Sequence, residues 1–385
     1  MQPDAGPGGN RKVVLFANTD WYLYNFRRSL AKALRAAGYD VLLLSPPGPY
    51  GEKLVALGFR WEAVPMDRRS LNPLREATLL LYLGRLFHRE CPALVHSFTI
   101  KCAVYGSLAA RFAAVPARVN AVAGMGYVFT SNDLKARLLR WPVRALLRLA
   151  LGGPGARLVL QNPDDVCLFK RARLVADSQV QLIPGSGVDL QRFAPSFRGR
   201  GAGSSMTVLL AARLLWDKGL AEFIDAIRLL RSRGRELRFL LAGMPDPGNP
   251  RAVPEETVRA WVAEGLLEWM GHVDDMPGLF SSVDIVVLPS YREGLPKTLI
   301  EAAGCALPLI TTDVPGCREV VSDEINGLLV PARDSTALAN AIARLQDDPV
   351  FAQRLGEAAR EKAILEFDES AVCKSTLAVY SQLLS

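Results

Sequence analysis

The 385-residue sequence contains no run of uncharged apolar residues approaching the roughly 18 that a membrane-crossing helix needs. Its most leucine-rich stretch, Leu134 to Leu160, is interrupted by Arg137, Arg140, Arg144 and Arg148, which argues against a membrane-spanning chain. The opening M-Q-P-D-A-G-P-G-G-N has neither a basic segment leading into an apolar one nor a small-residue cleavage site. Residues 1–10 are therefore expected to be a disordered lead-in without a secretion signal. Six cysteines lie far apart with no C-x-x-C pair, and the only histidines are His88, His96 and His272. That scarcity argues against a structural zinc site and for a reducing compartment. D-x-D, the usual aspartate pair for a metal-bound nucleotide sugar, is missing, and so is the G-x-G-x-x-G of dinucleotide enzymes. No segment repeats another at a fixed short period.

The composition is that of a globular protein, with 50% hydrophobic and 22% charged residues, and the length suffices for two domains. Lys and Arg outnumber Asp and Glu by 46 to 39, a net charge of +7 that suits anionic partners. A nucleic-acid partner is not expected, because basic and aromatic residues are not interleaved on any surface element.

Apolar runs at Val13 to Ala17, Val41 to Ser45 and Ala93 to His96 alternate with helical patterns that stop at Gly38 and Gly58. This alternation predicts parallel β-α-β units. Ser196 to Ser205, rich in glycine and serine, reads as a flexible linker. Beyond it the pattern restarts, with strands at Val208 to Ala211, Arg238 to Ala242, Ile285 to Pro289 and Pro308 to Thr311, and helices at Leu220 to Arg231, Pro254 to Gly265 and Pro296 to Gly304. The expected organisation is an α/β chain of two doubly wound domains facing a cleft, 11–195 and 206–365. A terminal helix over 366–385 is expected to pack back on the first domain.

The densest chemical signal is Val283 to Gly304. A hydrophobic strand ends at Pro289, a loop carries Glu293 and Gly294, and a helix opens at Pro296, where a missing N–H costs nothing. The free N–H groups there, with the helix dipole, make a site for a diphosphate. Glu301, five residues into the helix, lies about 7.5 Å along it at 1.5 Å per residue, within reach of a sugar diol beside that phosphate. Arg213 and Lys218, five apart on the loop after Val208 to Ala211, can clamp a diphosphate from two sides.

Glu293 and Glu301, with seven residues between them and Gly-Leu-Pro in the gap, resemble the E-x7-E signature of the retaining family 4 glycosyltransferases, which have the GT-B fold. The resemblance implies that Glu293 contacts the donor sugar and Glu301 the ribose, that Arg213 and Lys218 form the phosphate clamp, and that Gly294, Leu295, Pro296, Lys297 and Thr298 line the donor site. It also makes Gly271 to Pro277, with His272 and Val273, a nucleobase loop read through the backbone, and Pro315-Gly316 the far wall, with Arg318 and Glu319 capping the following helix. In the first half, N-T-D-W-Y-L-Y-N-F (Asn18 to Phe26) stands where many members have a glycine-rich loop. Asp20, His96, Lys101, Gly124 and Gly126 are the candidates for the acceptor side.

Asn18 to Trp21, Phe98 to Gly106 and Thr311 to Val321 narrow the similarity to bacterial enzymes that build surface polysaccharide or O-antigen repeats on a polyprenyl diphosphate. The resemblance therefore implies a UDP-sugar donor, N-acetylhexosamine, a lipid-linked glycan acceptor, no cofactor, no metal, and a cytoplasmic location at the inner face of the membrane. A nucleotide-sugar epimerase of the same fold and a non-catalytic sugar-nucleotide-binding subunit of an assembly complex are the alternatives. Leu134 to Leu149, with Arg140, Arg144 and Arg148 four residues apart, is expected to be a helix lying on an anionic membrane surface.

Overall fold

The structure is a computed structural model that describes residues 11–68, 70, 72–122, 134–196 and 205–385, with 134–140 as backbone only. The chain forms two compact units, one running up to Ser186 and including Val372–Ser385, the other Gly187–Ala371. The first holds seven strands: β1 (Lys12–Phe16), β2 (Asp40–Ser45), β3 (Arg60–Ala63), β4 (Leu94–Phe98), β5 (Ala117–Ala121), β6 (Ala156–Leu160) and β7 (Val180–Leu182). They pair in parallel in the order β3-β2-β1-β4-β5-β6-β7. The second holds β8 (Met206–Ala211), β9 (Leu237–Ala242), β10 (Glu268–Gly271), β11 (Ile285–Leu288), β12 (Leu309–Thr312) and β13 (Leu328–Val330). Their order, β10-β9-β8-β11-β12-β13, is again parallel throughout.

Near-continuous apolar strands form such sheets because helices cover both faces. Alternation along β1 sends Val13 and Leu15 into one core cluster and Val14 and Phe16 into the other. In the second unit Val208 and Leu210 join Ile285 and Val287, while Leu209 and Ala211 join Val286 and Leu288. Both sheets reverse their strand order between the first and fourth strands, and open α/β sheets bind ligands outside the carboxyl ends of the strands at such a point.

Three features depart from the sequence expectations. The stretch before residue 196 belongs to the second unit, because Val188, Leu190 and Phe193 pack with Leu209 and Leu288 and Val188 bridges Asp368. The division falls after Ser186 and not at 195; of the linker, residues 197–204 lie outside the described residues, as does the lead-in 1–10. The helix after β1 changes pitch, passing from Asp20–Tyr22 through a π-helical Leu23–Arg27 into Arg28–Ala36. The helix Leu134–Leu151 forms, but Arg144 Nη2 donates to Ala172 O at 3.0 Å and Arg148 Nε to Arg173 O at 2.7 Å. These two arginines cap the carboxyl end of the helix Pro163–Arg171, where a cation is favoured by unpaired carbonyls and the dipole. The basic stripe expected to face lipid is therefore engaged within the fold, and the side chain of Arg140 lies outside the described residues.

The final helix, Glu369–Leu384, buries Val372, Cys373, Thr376, Val379 and Tyr380, a helical i, i+4, i+7 stripe. Val372, Cys373, Val379 and Tyr380 share a core cluster with Val13 and Leu15 of the first unit. Among the described residues no helix is long and apolar enough to cross a membrane.

Candidate functional site

The carboxyl edge of the second sheet gathers the residues of the glutamate motif. After β11 the chain turns through Ser290 to Leu295 and enters the helix Lys297–Gly304, with Pro296 at its N-cap and no side chain capping it. Glu293 is fixed at both ends. Its N–H donates to Pro315 O at 3.0 Å, and its Oε1 accepts from Ser290 Oγ at 2.6 Å and from Lys218 Nζ.

Two glycines make this convergence possible. Gly219, at φ +75°, lets the turn carrying Lys218 press on the end of β11; a Cβ there would lie 2.1 Å from Pro289 O. Gly316, at φ +87°, packs on Glu293, whose carbonyl oxygen would be 2.5 Å from an added Cβ. Both positions combine a left-handed backbone with a contact that no side chain tolerates. Glu319 Oε2 accepts the Gly316 N–H at 2.6 Å, and Arg318 pairs with Asp313 at 2.9 Å.

Glu301 is largely buried and lies 3.6 Å from Lys297 one turn earlier. Burial raises its pKa, while the positive charges of Lys297 and Arg192 act against the rise. A carboxylate with few water contacts and two cations nearby is prepared to accept hydrogen bonds from hydroxyl groups. Arg213 is more open, 63% exposed, and its Nη1 is 3.2 Å from Asp246 Oδ2. Gly294, Leu295 and Thr298 are partly exposed around the helix mouth, and Pro296 is buried. In the loop after β10, His272 Nε2 sits 3.2 Å from Asp274 Oδ1, and Val273 packs against the core below β8. Sequence reasoning missed Ser290, although it lies only two residues beyond the end of β11; Asp246 and Arg192 carried no spacing signal.

The first unit treats its candidates differently. Asp20, 4% exposed, accepts from the N–H groups of Trp21, Tyr50 and Gly51 at 2.8, 2.6 and 2.9 Å. Lys101 Nζ is bound to Glu76 Oε1 at 2.7 Å, Asp67 O at 2.7 Å and Ser70 O at 2.9 Å, so it ties down a loop. His96 is fully enclosed, its Nδ1 2.5 Å from the Tyr380 hydroxyl and its ring against Phe98. Burial, followed by the charge of Arg27, pushes its pKa well below 6.5. Asp20 and Lys101 are thus bonded to neighbouring chain segments, whereas the buried Nε2 of His96 has no hydrogen-bond partner among the described residues. Gly124 and Gly126 lie outside the described residues. No group of three or more His, Cys, Asp or Glu among the described residues could hold a metal ion.

The family described as "Glycosyl transferase 4-like" matches residues 12–161, and "Glycosyl transferases group 1" matches residues 205–348. A relative from Campylobacter jejuni, N,N'-diacetylbacillosaminyl-diphospho-undecaprenol alpha-1,3-N-acetylgalactosaminyltransferase, is 27% identical over 94% of this chain and 96% of its own. UDP-Gal:alpha-D-GlcNAc-diphosphoundecaprenol alpha-1,3-galactosyltransferase of Escherichia coli is 26% identical over 75% of each chain. The crystal structure of Anabaena HepE in complex with UDP superposes with a TM-score of 0.77 at 19% identity, covering 96% of this chain and all (100%) of that one. With two parallel α/β units and these matches in both halves, the chain belongs to the GT-B-fold glycosyltransferases composed of a glycosyl transferase 4-like domain and a group 1 domain.

Proposed function

We propose that this glycosyltransferase moves an N-acetylhexosamine from UDP to a polyprenyl-diphosphate-linked glycan, with retention of anomeric configuration and without a divalent metal. The observation that carries the reading is the Lys218–Glu293 pair with Ser290 at an uncapped helix end, Glu301 lying inside that helix. The two undecaprenol-linked relatives support the acceptor class, and the UDP complex supports the nucleotide. In this reading the donor diphosphate takes the place of Glu293 on Lys218. Glu293 is then released to hold the sugar hydroxyls, while Glu301 accepts from the ribose.

The acceptor oxygen attacks the anomeric carbon on the face that the diphosphate leaves. The anomeric C–O bond to phosphate breaks as the new C–O bond forms, and a phosphate oxygen takes the acceptor proton. Lys218, Arg213 and the helix N–H groups neutralise the leaving diphosphate, the task a metal performs elsewhere. Glu293 orients the sugar and is no nucleophile.

Peripheral membrane attachment on the cytoplasmic side, where the lipid-linked acceptor would be met, is part of this proposal. Its support is apolar exposure, with Trp141 at 80% and Leu149 at 52% on one helix, together with a cavity of about 500 Å³ whose lining joins Val64, Met66, Leu74 and Leu79 to Asp67, Arg75, Glu76 and Thr78.

Incubation of UDP-sugars with N-acetylglucosaminyl diphosphate on a short lipid, in EDTA, tests the whole reading. We expect transfer that survives EDTA, an α-linked product by NMR, and a loss of about 10² to 10³ in kcat for Lys218→Ala. A β-linked product would overturn the mechanism, and activity lost in EDTA and restored by Mg²⁺ would overturn the cation assignment.

A further inference from the structure

The segment that replaces a glycine-rich loop after β1 is aromatic at Trp21, Tyr22, Tyr24 and Phe26. The π-helical turn Leu23–Arg27 aligns residues five apart. Trp21 accordingly sits 5.4 Å from Phe26, and Arg27 Nη2 donates to the Tyr22 hydroxyl at 2.9 Å. Tyr22 stacks on Phe26 at 5.0 Å and 5°, and Phe98 continues the row at 5.9 Å from Tyr22. The row runs from the 39%-exposed indole of Trp21 down to the fully buried Phe98.

Beside it Tyr24 and Tyr50 meet at 5.3 Å. The Arg28 guanidinium lies 4.9 Å from the Tyr24 ring and the Lys53 ammonium 4.5 Å from the Tyr50 ring. Among the described residues neither cation forms an ion pair. Asp20 pins the arrangement by holding the N–H groups of Trp21, Tyr50 and Gly51, and Gly48 comes so near that an added Cβ would lie 2.4 Å from Asp20 Oδ1. These residues lie at the end of β4 and on the segments that follow β1 and β2, on the side where doubly wound sheets bind their ligands.

An exposed indole backed by stacked rings offers a flat apolar face, and the C–H face of a pyranose packs on such a surface while its hydroxyls stay in water. Two cations whose contacts are aromatic faces retain their charge for an anion. We propose that Trp21 and Phe26 carry the sugar ring of the acceptor and that Arg28 and Lys53 hold its diphosphate. Asp20 is the positioning residue that fixes the two turns before the acceptor arrives, which lowers the ordering cost of binding. The inference rests on the lipid-linked acceptor of the proposed function.

The probe is N-acetylglucosaminyl diphosphate carrying a decyl tail, measured by calorimetry on the full chain, with UDP titrated in a parallel sample. Trp21→Ala is expected to weaken the probe about tenfold, the scale of one aromatic contact, and to raise its KM alike, while UDP affinity and donor KM stay unchanged. Trp21→Phe should recover most of the loss, which a merely destabilised fold would not do. The double variant Arg28→Ala, Lys53→Ala should remove the salt dependence of probe binding. Unchanged probe affinity in Trp21→Ala, or no probe binding by the unaltered chain while UDP binds, overturns the inference and leaves the donor side standing. A chain that fails to bind UDP would overturn the proposed function itself.

Discussion

The two sheets share one topology, yet their carboxyl edges use polar residues in opposite ways. In the second unit Lys218 and Ser290 both donate to Glu293 Oε1 at a partly open edge, an internal partner that the proposed donor diphosphate would replace. In the first, Asp20, His96 and Lys101 are held by backbone groups, Tyr380 and Glu76, and the accessible groups are aromatic. A nucleoside diphosphate has a fixed charge pattern that fixed ions can match. A glycan acceptor presents hydroxyls and C–H faces, which the proposed surface of rings, with Arg28 and Lys53 against Tyr24 and Tyr50, would match better.

The sharpest way to break this comparison is at the donor edge. Glu301→Ala removes a carboxylate proposed to accept two ribose hydrogen bonds, each worth about 1.5–3 kcal/mol when one partner is charged. We expect kcat/KM to fall by about 10² to 10⁴. Burial raises the Glu301 pKa and neighbouring cations only partly counter it, so removing the carboxyl should not destabilise the fold at neutral pH. Full activity in a folded variant would make the second unit's carboxylates as structural as those of the first.

A smaller effect separates the edges by pH. His96 is buried neutral, its pKa depressed by burial and by Arg27, so the folded state binds fewer protons than the unfolded one below about pH 6.5. Its contribution to stability is present above that value and is lost as pH falls from 6.5 toward the depressed folded pKa. Urea unfolding of the first unit should show stability falling by up to about 1.4 kcal/mol per pH unit in that window, a slope absent from His96→Gln. Equal slopes would mean that the imidazole is open to solvent, and would return His96 to the ligand-facing set.

Which parts were legible in the sequence follows from the same contrast. Strands β8, β9, β11 and β12 announce themselves as buried runs, and the glutamate pair sits where a strand hands over to a helix, so local pattern and chemistry agree. The edge strands β3, β10 and β13 are short or half exposed, and the alternation signal fails there because one neighbour is missing. Whether a polar residue at a strand end meets solvent depends on what returns to cover it. His96 is covered by Tyr380, 284 positions away, and the arginines at 144 and 148 by the carbonyls of another helix. Spacing carries no trace of those partners.

The mildest test lies at the opposite end of the first sheet, where charge is purely structural. Glu90 accepts from Lys12 at 2.9 Å, Arg89 at 3.1 Å and Arg60 at 3.1 Å, and these bonds, that of Lys12 foremost, hold its pKa down at about 2. Because the folded value lies below the unfolded one, the network stabilises the unit above about pH 4.5 and loses its effect as pH falls toward 2. Solvent screening keeps such pairs to about 1 kcal/mol or less. Glu90→Gln should therefore lower the urea midpoint slightly at pH 7, and the gap from the unaltered chain should close between pH 4.5 and 2, with kcat/KM untouched at neutral pH. A gap that persists at pH 2 would show that Glu90 acts through packing rather than charge. A change in kcat/KM would show that this end of the sheet communicates with the site, contrary to the division of labour between its two ends.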